Sequence, residues 1–292
     1  MNVSIITPTF NSAKTIQSNL DSIKSQSFKD YQLITIDNNS TDETVEIIKK
    51  NNIPNVKFLI ESDLGIFDAI NKGIKISDND LISVLHSDDL YNNENVLKDV
   101  VEKFHEHKDT DIIFGDLKYV KKNNVNITLR YWKPGHYNKG LFFKGWHPPH
   151  PSFFVKKKLF GSYGYYSINN GNSADVELMF RFLDTHSLKS KYLNKTLVKM
   201  RYGGASNKDI LSIKIHDLPE IKMTDWKNNG DFFSTVLYND EYKSLPIKNY
   251  EIIDVGANNG DTSIYFAMRG AHNVIALEPL PQNFESAKKN IE

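Results

Sequence analysis

Cysteine is absent from this 292-residue chain, which removes disulfides, thiolate zinc sites and cysteine nucleophiles from its chemistry. That absence fits a reducing compartment. Net charge is also absent: Lys plus Arg equals Asp plus Glu at 36 each, so no basic excess supports nonspecific nucleic-acid binding. No apolar run approaches the roughly 20 residues that a membrane helix needs. The opening, Met1 to Pro8, lacks the basic flank and apolar core of a secretory signal. These absences point to a cytoplasmic protein, with peripheral contact at the inner face of a membrane left open. There are no internal repeats and no low-complexity tract. What remains, 39% hydrophobic and 25% charged residues, is the composition of a soluble globular protein with one large domain or two. Oligomeric state is not legible.

The first ninety residues alternate strand and helix. Val3 to Thr7, Tyr31 to Ile36, Val56 to Ile60 and Leu81 to Leu85 are short, β-branched, apolar runs that predict buried strands. Between them, Ala13 to Gln26 carries Ile16, Leu20 and Ile23 on one helical face, and Ile66 to Ile76 predicts another helix. Ser40-Thr41-Asp42-Glu43 matches a capping box that opens a helix to Lys50. The pattern is βαβαβαβ, an α/β fold with a mostly parallel sheet of nucleotide-binding character. Beyond it, a helix from about Asn95 to His105 precedes two strands, Asp111 to Tyr119 and Asn126 to Trp132, joined by an Asn-rich turn. Gly135 to Pro151 reads as irregular, and Ala174 to Asp184 as a helix with Val176, Met179, Phe180 and Leu183 along its stripe.

Chemistry concentrates in the loops after the first four strands. Leu85-His86-Ser87-Asp88-Asp89 places two adjacent carboxylates at a strand's carboxyl end, where open α/β sheets hold ligands. Side-by-side carboxylates repel unless a cation or donors offset them. A hard ion such as Mg²⁺ or Mn²⁺, shared with substrate phosphates, is the usual solution. Taken singly, Asp37 and Asp42 read as turn formers or caps. With Asp88 and Asp89 at the same sheet edge they favour a nucleotide-diphosphate site, with Asp37 and Ser62-Asp63 facing base or ribose.

Four ordered segments carry a family resemblance: Val3 to Asn11, Ile36 to Asp42, Ser62 to Gly73 and His86 to Asp89. Together they resemble glycosyltransferase family 2, over about residues 1–225. That family has the GT-A fold and inverts the sugar taken from a nucleotide-diphosphate donor. The resemblance implies a donor-binding set of Thr7, Pro8, Thr9, Asn11, Asp37, Asn39, Asp63, Gly65, Asp68, Asn71, Lys72 and Asp88. It implies Mn²⁺ or Mg²⁺ on Asp88 and Asp89, with Asp89 the more direct ligand. The first acidic position of that element is Ser87 here, which weakens its hold on a metal. Ala174 to Arg181 resembles the segment bearing the catalytic base, so Asp175 is expected to deprotonate an acceptor hydroxyl on a glycan or a lipid-linked sugar. A carboxylate in a helix's first turn is equally a response to the helix dipole. Ala174 stands where the family often has Glu, and Glu177 is expected to be a surface or supporting residue rather than a second base. Trp146 to Phe154 and Met200 to Asn207 resemble further segments of one branch. From them His150 and Arg201 join the donor or phosphate contacts; a structural role has similar weight for His150, and an exposed loop without function is the alternative for Arg201.

The chain changes character after Asn228-Asn229-Gly230, and residues 226–292 form the second expected domain. Tyr250 to Val255, then Gly256-Ala257-Asn258-Asn259-Gly260-Asp261, then a helix and the strand Asn273 to Leu277, make a second βαβ start. This piece resembles the beginning of an FkbM-type S-adenosylmethionine-dependent methyltransferase, which implies vestigial cofactor contacts at Asp254, Gly256, Gly260 and Glu278. Only two strands of that sheet are expected before Glu292, with an unpaired edge. S-adenosylmethionine is not expected to bind so short a fragment. The alternative function is a methyltransferase with an accessory nucleotide-sugar-binding domain.

Overall fold

The computed structural model describes residues 1–142, 146–168, 174–202, 211–215, 247–255, 261–268, 271–278, 283–285 and 287–288. The alternating pattern of the first ninety residues folds as β1 (Val3–Thr9), α1 (Ile16–Lys24), β2 (Tyr31–Asp37), α2 (Thr44–Lys50), β3 (Val56–Ile60), α3 (Ile66–Ile76) and β4 (Leu81–Val84). All four strands pair in parallel, in the order β3-β2-β1-β4. Parallel pairing requires crossover connections, which the three helices supply. Alternate side chains then enter opposite layers. Ile5 and Leu33 pack with Ile16, Leu20 and Ile23 of α1, while Ile6 and Ile34 pack with Ile70 and Ile74 of α3. Gly73 lets α3 lie close on β1, because a Cβ there would sit 2.6 Å from Ile6 Cγ2.

The sheet continues through antiparallel and mixed pairs. β5 is Leu90–Tyr91, α4 Val96–Glu106, β6 Ile112–Lys121, β7 Asn124–Trp132, β8 Phe153–Lys156, α5 Lys158–Tyr163, α6 Ala174–Phe180 and β9 Ser190–Arg201. The full path is β3-β2-β1-β4-β8-β6-β9-β5, with β7 on β6. The strand order therefore reverses between β1 and β4, which is where such sheets open a ligand crevice.

Several expectations need revision. The first two strands run to Thr9 and Asp37, so Pro8 and Thr9 lie within a strand rather than in a turn. The capping box does not form. Ser40 donates to Asp37 instead, and α2 opens behind Glu43 with no side-chain cap. The helix expected from Ala174 to Asp184 is α-helical only to Phe180, followed by a π turn over Arg181–Thr185.

The boundary expected near residue 225 lies outside the described residues. The chain divides into two compact units, Met1–Tyr202 and Gly203–Glu292. The physical reason is Leu211–Ile215, a strand that pairs antiparallel with Asn273–Glu278 of the C-terminal unit. Asn273–Glu278 also pairs in parallel with Glu251–Val255, giving three strands where two with a free edge were expected. Asp254 is buried there and accepts a 2.6 Å hydrogen bond from Ser263 Oγ. Glu278 ends its strand, buried. Gly256 and Gly260 lie outside the described residues. Among the described residues, no helix is long and apolar enough to cross a membrane.

Candidate active site

The carboxyl ends of β1, β2, β3 and β4 are tied to one another by side chains. Asp37 is fully buried and its carboxylate accepts from Thr9 Oγ1 at 2.8 Å, Ser40 Oγ at 2.7 Å and Ser40 N at 2.8 Å. Asn11 has φ of 47° and Asn39 of 52°, left-handed values that asparagine tolerates. Asn11 Oδ1 accepts from Thr41 N at 2.9 Å, and Asn39 Nδ2 donates to Ser62 Oγ at 2.8 Å. Ser87, at the position where the family element is acidic, meets Ser12 Oγ at 2.8 Å. Thr7 and Pro8 are buried in β1, and Thr7 Oγ1 has no partner among the described residues.

After β3, Asp63 Oδ1 accepts from Gly65 N at 2.9 Å, and Gly65 takes φ of 115°. Burial holds the Asp63 carboxyl above its usual range. Lys72 is occupied by Glu61 at 3.0 Å, Asp68 at 3.3 Å and the Ser62 carbonyl at 2.6 Å. Asn71 turns away from this edge. Its Nδ2 donates to Tyr166 O at 2.8 Å and its Oδ1 accepts from Tyr166 N at 3.0 Å, both buried. Thr9, Asn11, Asp37, Asn39, Asp63 and Gly65 thus lie in strand ends and loops at one sheet edge, whereas Asn71 grips the backbone of another segment.

The acidic turn is held by its carbonyls. Asn19 of α1, fully buried, donates to His86 O at 2.8 Å and Asp89 O at 2.9 Å. Arg201, 8% exposed, donates to Asp88 O at 2.5 Å, Ser18 Oγ at 2.9 Å and Lys122 O at 3.3 Å. Arg201 therefore faces inward as a positioning residue, and the phosphate contact expected of it is not supported. The two carboxylates differ sharply. Asp89 is 1% exposed, and both its oxygens are sealed with no hydrogen-bond partner among the described residues. Burial, reinforced by the Asp88 charge, pushes its carboxyl well above the ordinary range, against a smaller pull from Arg201. Asp88 is half-buried and open to solvent. The assignment of Asp89 as the more direct metal ligand does not fit its enclosure; Asp88 is the reachable carboxylate. No cluster of three or more His, Cys, Asp or Glu placed to hold a metal occurs among the described residues. Asp88 with donor phosphates still fits a hard cation, since such ions take one or two carboxylates and keep the rest for phosphate and water.

The opposite wall comes from α6 and the segments before it. Asp175 opens α6, and Val176 N donates to its Oδ1 at 2.8 Å. Burial raises its carboxyl above the usual range, opposed by that amide and by His147 and His86. His86 feels the charges of both Asp88 and Asp175, while burial lowers its own pKa. Its Nδ1 is sealed without a partner among the described residues. His150 is buried, lies 5.7 Å from the His86 ring and meets Tyr166 Oη at 2.8 Å through Nε2. Burial, with His86 and His147, lowers its pKa to about 3, so this imidazole is neutral. Phe67 stacks on Tyr166 at 5.4 Å. Glu177 receives Arg181 Nε at 2.7 Å and Nη2 at 3.0 Å. Arg181 also donates to the carbonyls of Tyr163, Gly164 and Tyr165.

Three contributors escaped the sequence reading. Asn19 had a signal, a polar residue on the apolar stripe Ile16, Leu20, Ile23. His86 had another, since it heads the acidic element directly. Tyr166 had none, standing in an aromatic run that reads as core.

The family described as Glycosyl transferase family 2 matches residues 4–162. A PGL/p-HBAD biosynthesis glycosyltransferase of Mycobacterium bovis is 30% identical over 211 residues, covering 70% of this chain and 78% of that protein. Among solved structures, Staphylococcus aureus TarS superposes with a TM-score of 0.58 at 21% identity, over 70% of this chain and 37% of that one. The mannosyltransferase PcManGT from Pyrobaculum calidifontis, solved with GDP-Man and Mn²⁺, gives a TM-score of 0.51 at 15% identity, over 67% of this chain and 56% of that one. At these identities the structures show a shared fold. This chain spans only about a third to a half of the length of those two.

Proposed function

The chain belongs to glycosyltransferase family 2, and from that premise we propose that residues 1–202 transfer a sugar, with inversion, from a nucleotide diphosphate to a hydroxyl of a glycan or lipid-linked acceptor. The nucleotide lies along the edge formed by Thr7, Asp37 and Asp63, and the diphosphate lies toward Asp88. Asp175 takes the acceptor proton as the acceptor oxygen attacks the anomeric carbon. The bond from that carbon to the diphosphate breaks on the opposite side, and the nucleoside diphosphate leaves with its electron pair. Asp88 would hold the divalent ion, which when bound offsets charge on the departing diphosphate.

One observation carries this reading. Both Asp88 and Asp175 act electrostatically on His86, which supports reading the carboxylate proposed for the cation and the carboxylate proposed as base as parts of one site. A base needs a pKa moved toward working pH, and burial at Asp175 moves it that way. His150 and Tyr166 form a neutral, hydrogen-bonded wall beside that base, and Asn71 and Arg181 hold the wall in place.

The test is a panel of nucleotide sugars incubated with the full chain in Mn²⁺, Mg²⁺ or EDTA, monitoring nucleoside diphosphate release. One donor is expected to turn over with metal and to stop turning over in Asp175→Asn once an acceptor is supplied. Release from no donor under any condition would reject the assignment of the site.

A further inference from the structure

Lys118 of β6 and Lys199 of β9 are register partners on parallel strands, and register partners project to the same face of a sheet. The row extends in both directions. Lys118 pairs with Tyr131 of β7, and Lys199 pairs with Leu90 of β5. Four strands therefore set Tyr131, Lys118, Lys199 and Leu90 side by side.

Like charges directly opposite in a sheet repel, and among the described residues no carboxylate offsets this pair. Both lysines are half-buried, and among the described residues neither ammonium meets a carboxylate. Elsewhere in the same unit Lys57, Lys72, Lys103, Lys156 and Lys195 each have a carboxylate between 2.5 and 3.7 Å away. Burial and the Lys118 charge hold the Lys199 ammonium below its usual range. Two neighbouring, half-buried lysines that meet no carboxylate among the described residues suit an oxyanion from outside the chain. Tyr131, 57% exposed, adds an open aromatic face at the end of the row.

Location separates this pair from the donor diphosphate. The donor crevice opens between β1 and β4, whereas the lysines sit on β6 and β9, further along the path β4-β8-β6-β9. Yet the pair borders the reaction site, because Leu90 follows Asp88-Asp89 directly and Arg201, two residues past Lys199, holds the Asp88 carbonyl. We propose that Lys118 and Lys199 form a subsite for an anionic group, phosphate or carboxylate, carried by the acceptor. This rests on the transferase reading above for its word "acceptor" and on the register and unpaired charges alone for the subsite.

The experiment is reductive ¹³C-dimethylation of the lysines, which preserves their charge, followed by NMR titration of the full chain in EDTA with inorganic phosphate and with sn-glycerol 3-phosphate. Lys118→Gln and Lys199→Gln assign the two resonances. Both signals are expected to move saturably together, and Lys118→Gln to weaken the response at Lys199 about tenfold. Linear shifts no larger than that of Lys50, 80% exposed, would overturn the subsite. Sedimentation with phosphatidylglycerol vesicles but not phosphatidylcholine vesicles, lost in both variants and without a saturable glycerol-phosphate response, would overturn the acceptor as the source in favour of a lipid surface. The Lys118→Gln/Lys199→Gln chain is expected to melt no lower than the parent, since a repulsion is removed; a lower melting point would make the pair structural. Donor hydrolysis by the unmodified parent chain reports separately on the transferase reading.

Discussion

Replacing Asn71 by alanine separates two roles that its motif and its geometry assign to it. The motif puts Asn71 among donor contacts; the structure spends its amide on Tyr166, 95 residues away, as donor and as acceptor. Alanine would strand one buried backbone N–H and one buried C=O. Each costs about 1–3 kcal/mol when left unmatched, so the loss should be about 3 kcal/mol after partial relaxation. For a unit of this size, about 2–4 °C of melting temperature goes with each kcal/mol, which gives a drop of roughly 6–12 °C. Tyr166 also carries the hydroxyl that meets His150 and the ring that stacks on Phe67, so turnover should fall while donor affinity stays within about twofold. Scanning calorimetry and donor calorimetry on the same sample read both quantities. Asn71→Asp adds a pH signature. It keeps the acceptor for Tyr166 N but sets a carboxylate against Tyr166 O, so its folded pKa rises above the unfolded value of about 3.9. Its stability deficit should therefore be smallest at acid pH and grow as pH rises through the raised folded pKa. An alanine variant that melts within about 2 °C of the parent but binds donor ten times more weakly would refute this reasoning and restore the motif's assignment.

Asp175→Asn should lower turnover by about 10²–10⁴ with donor affinity nearly intact, because general-base catalysis contributes on that scale; turnover within tenfold of the parent, with a confirmed acceptor, would place the base elsewhere. Since burial raises the Asp175 carboxyl, kcat/KM should fall as pH drops through that raised pKa, and the residual rate of the Asn variant should be flat over the same window. Asp88→Ala should abolish the Mn²⁺-dependent part of donor affinity while Asp89→Asn retains it; the reverse pattern in calorimetry would return the ion to Asp89. Arg181→Lys keeps the charge but loses the fork that spans Glu177 and the carbonyls of Tyr163 to Tyr165. It should cost about 2 kcal/mol in denaturant titration, and no measurable cost would show that the fork does not hold that turn.

The parallel half of the fold was legible because its signals are local and repeated: β-branched runs for strands, apolar spacing for helices, and polar residues where each strand stops. Boundaries failed where a side chain had a better partner than its local one. Ser40 satisfies Asp37 across the loop rather than capping α2, and no short-range pattern distinguishes those choices. Pairing at longer range is equally hidden. Leu211–Ile215 pairs with Asn273–Glu278, more than fifty residues away along the chain, a partnership that no local pattern announces. Within the site, residue type pointed to a shared edge but could not reveal depth. Asp88 and Asp89 are indistinguishable as letters, and only packing leaves one half-buried and seals the other.

That difference follows from how the turn is built. Its main chain is gripped at His86 O and Asp89 O by one buried amide, Asn19, and at Asp88 O by one buried guanidinium, Arg201. Because the grips fall on carbonyls, no carboxylate oxygen is consumed in fixing the turn. Asp88 thus reaches the crevice uncommitted, on a backbone that does not need a ligand to be ordered. A ligand that binds there gains from a geometry already formed, since less ordering entropy is lost on binding. The same logic applies across the crevice, where Asn71 and Arg181 hold backbone atoms of the segment that ends at Tyr166. Removing any of these grips should therefore act on turnover and stability together, whereas removing Asp88 or Asp175 should act on chemistry with stability nearly unchanged. Measured side by side, the two groups of variants should fall on different lines of activity against melting temperature. A single line would mean that the carboxylates are as structural as the residues that position them.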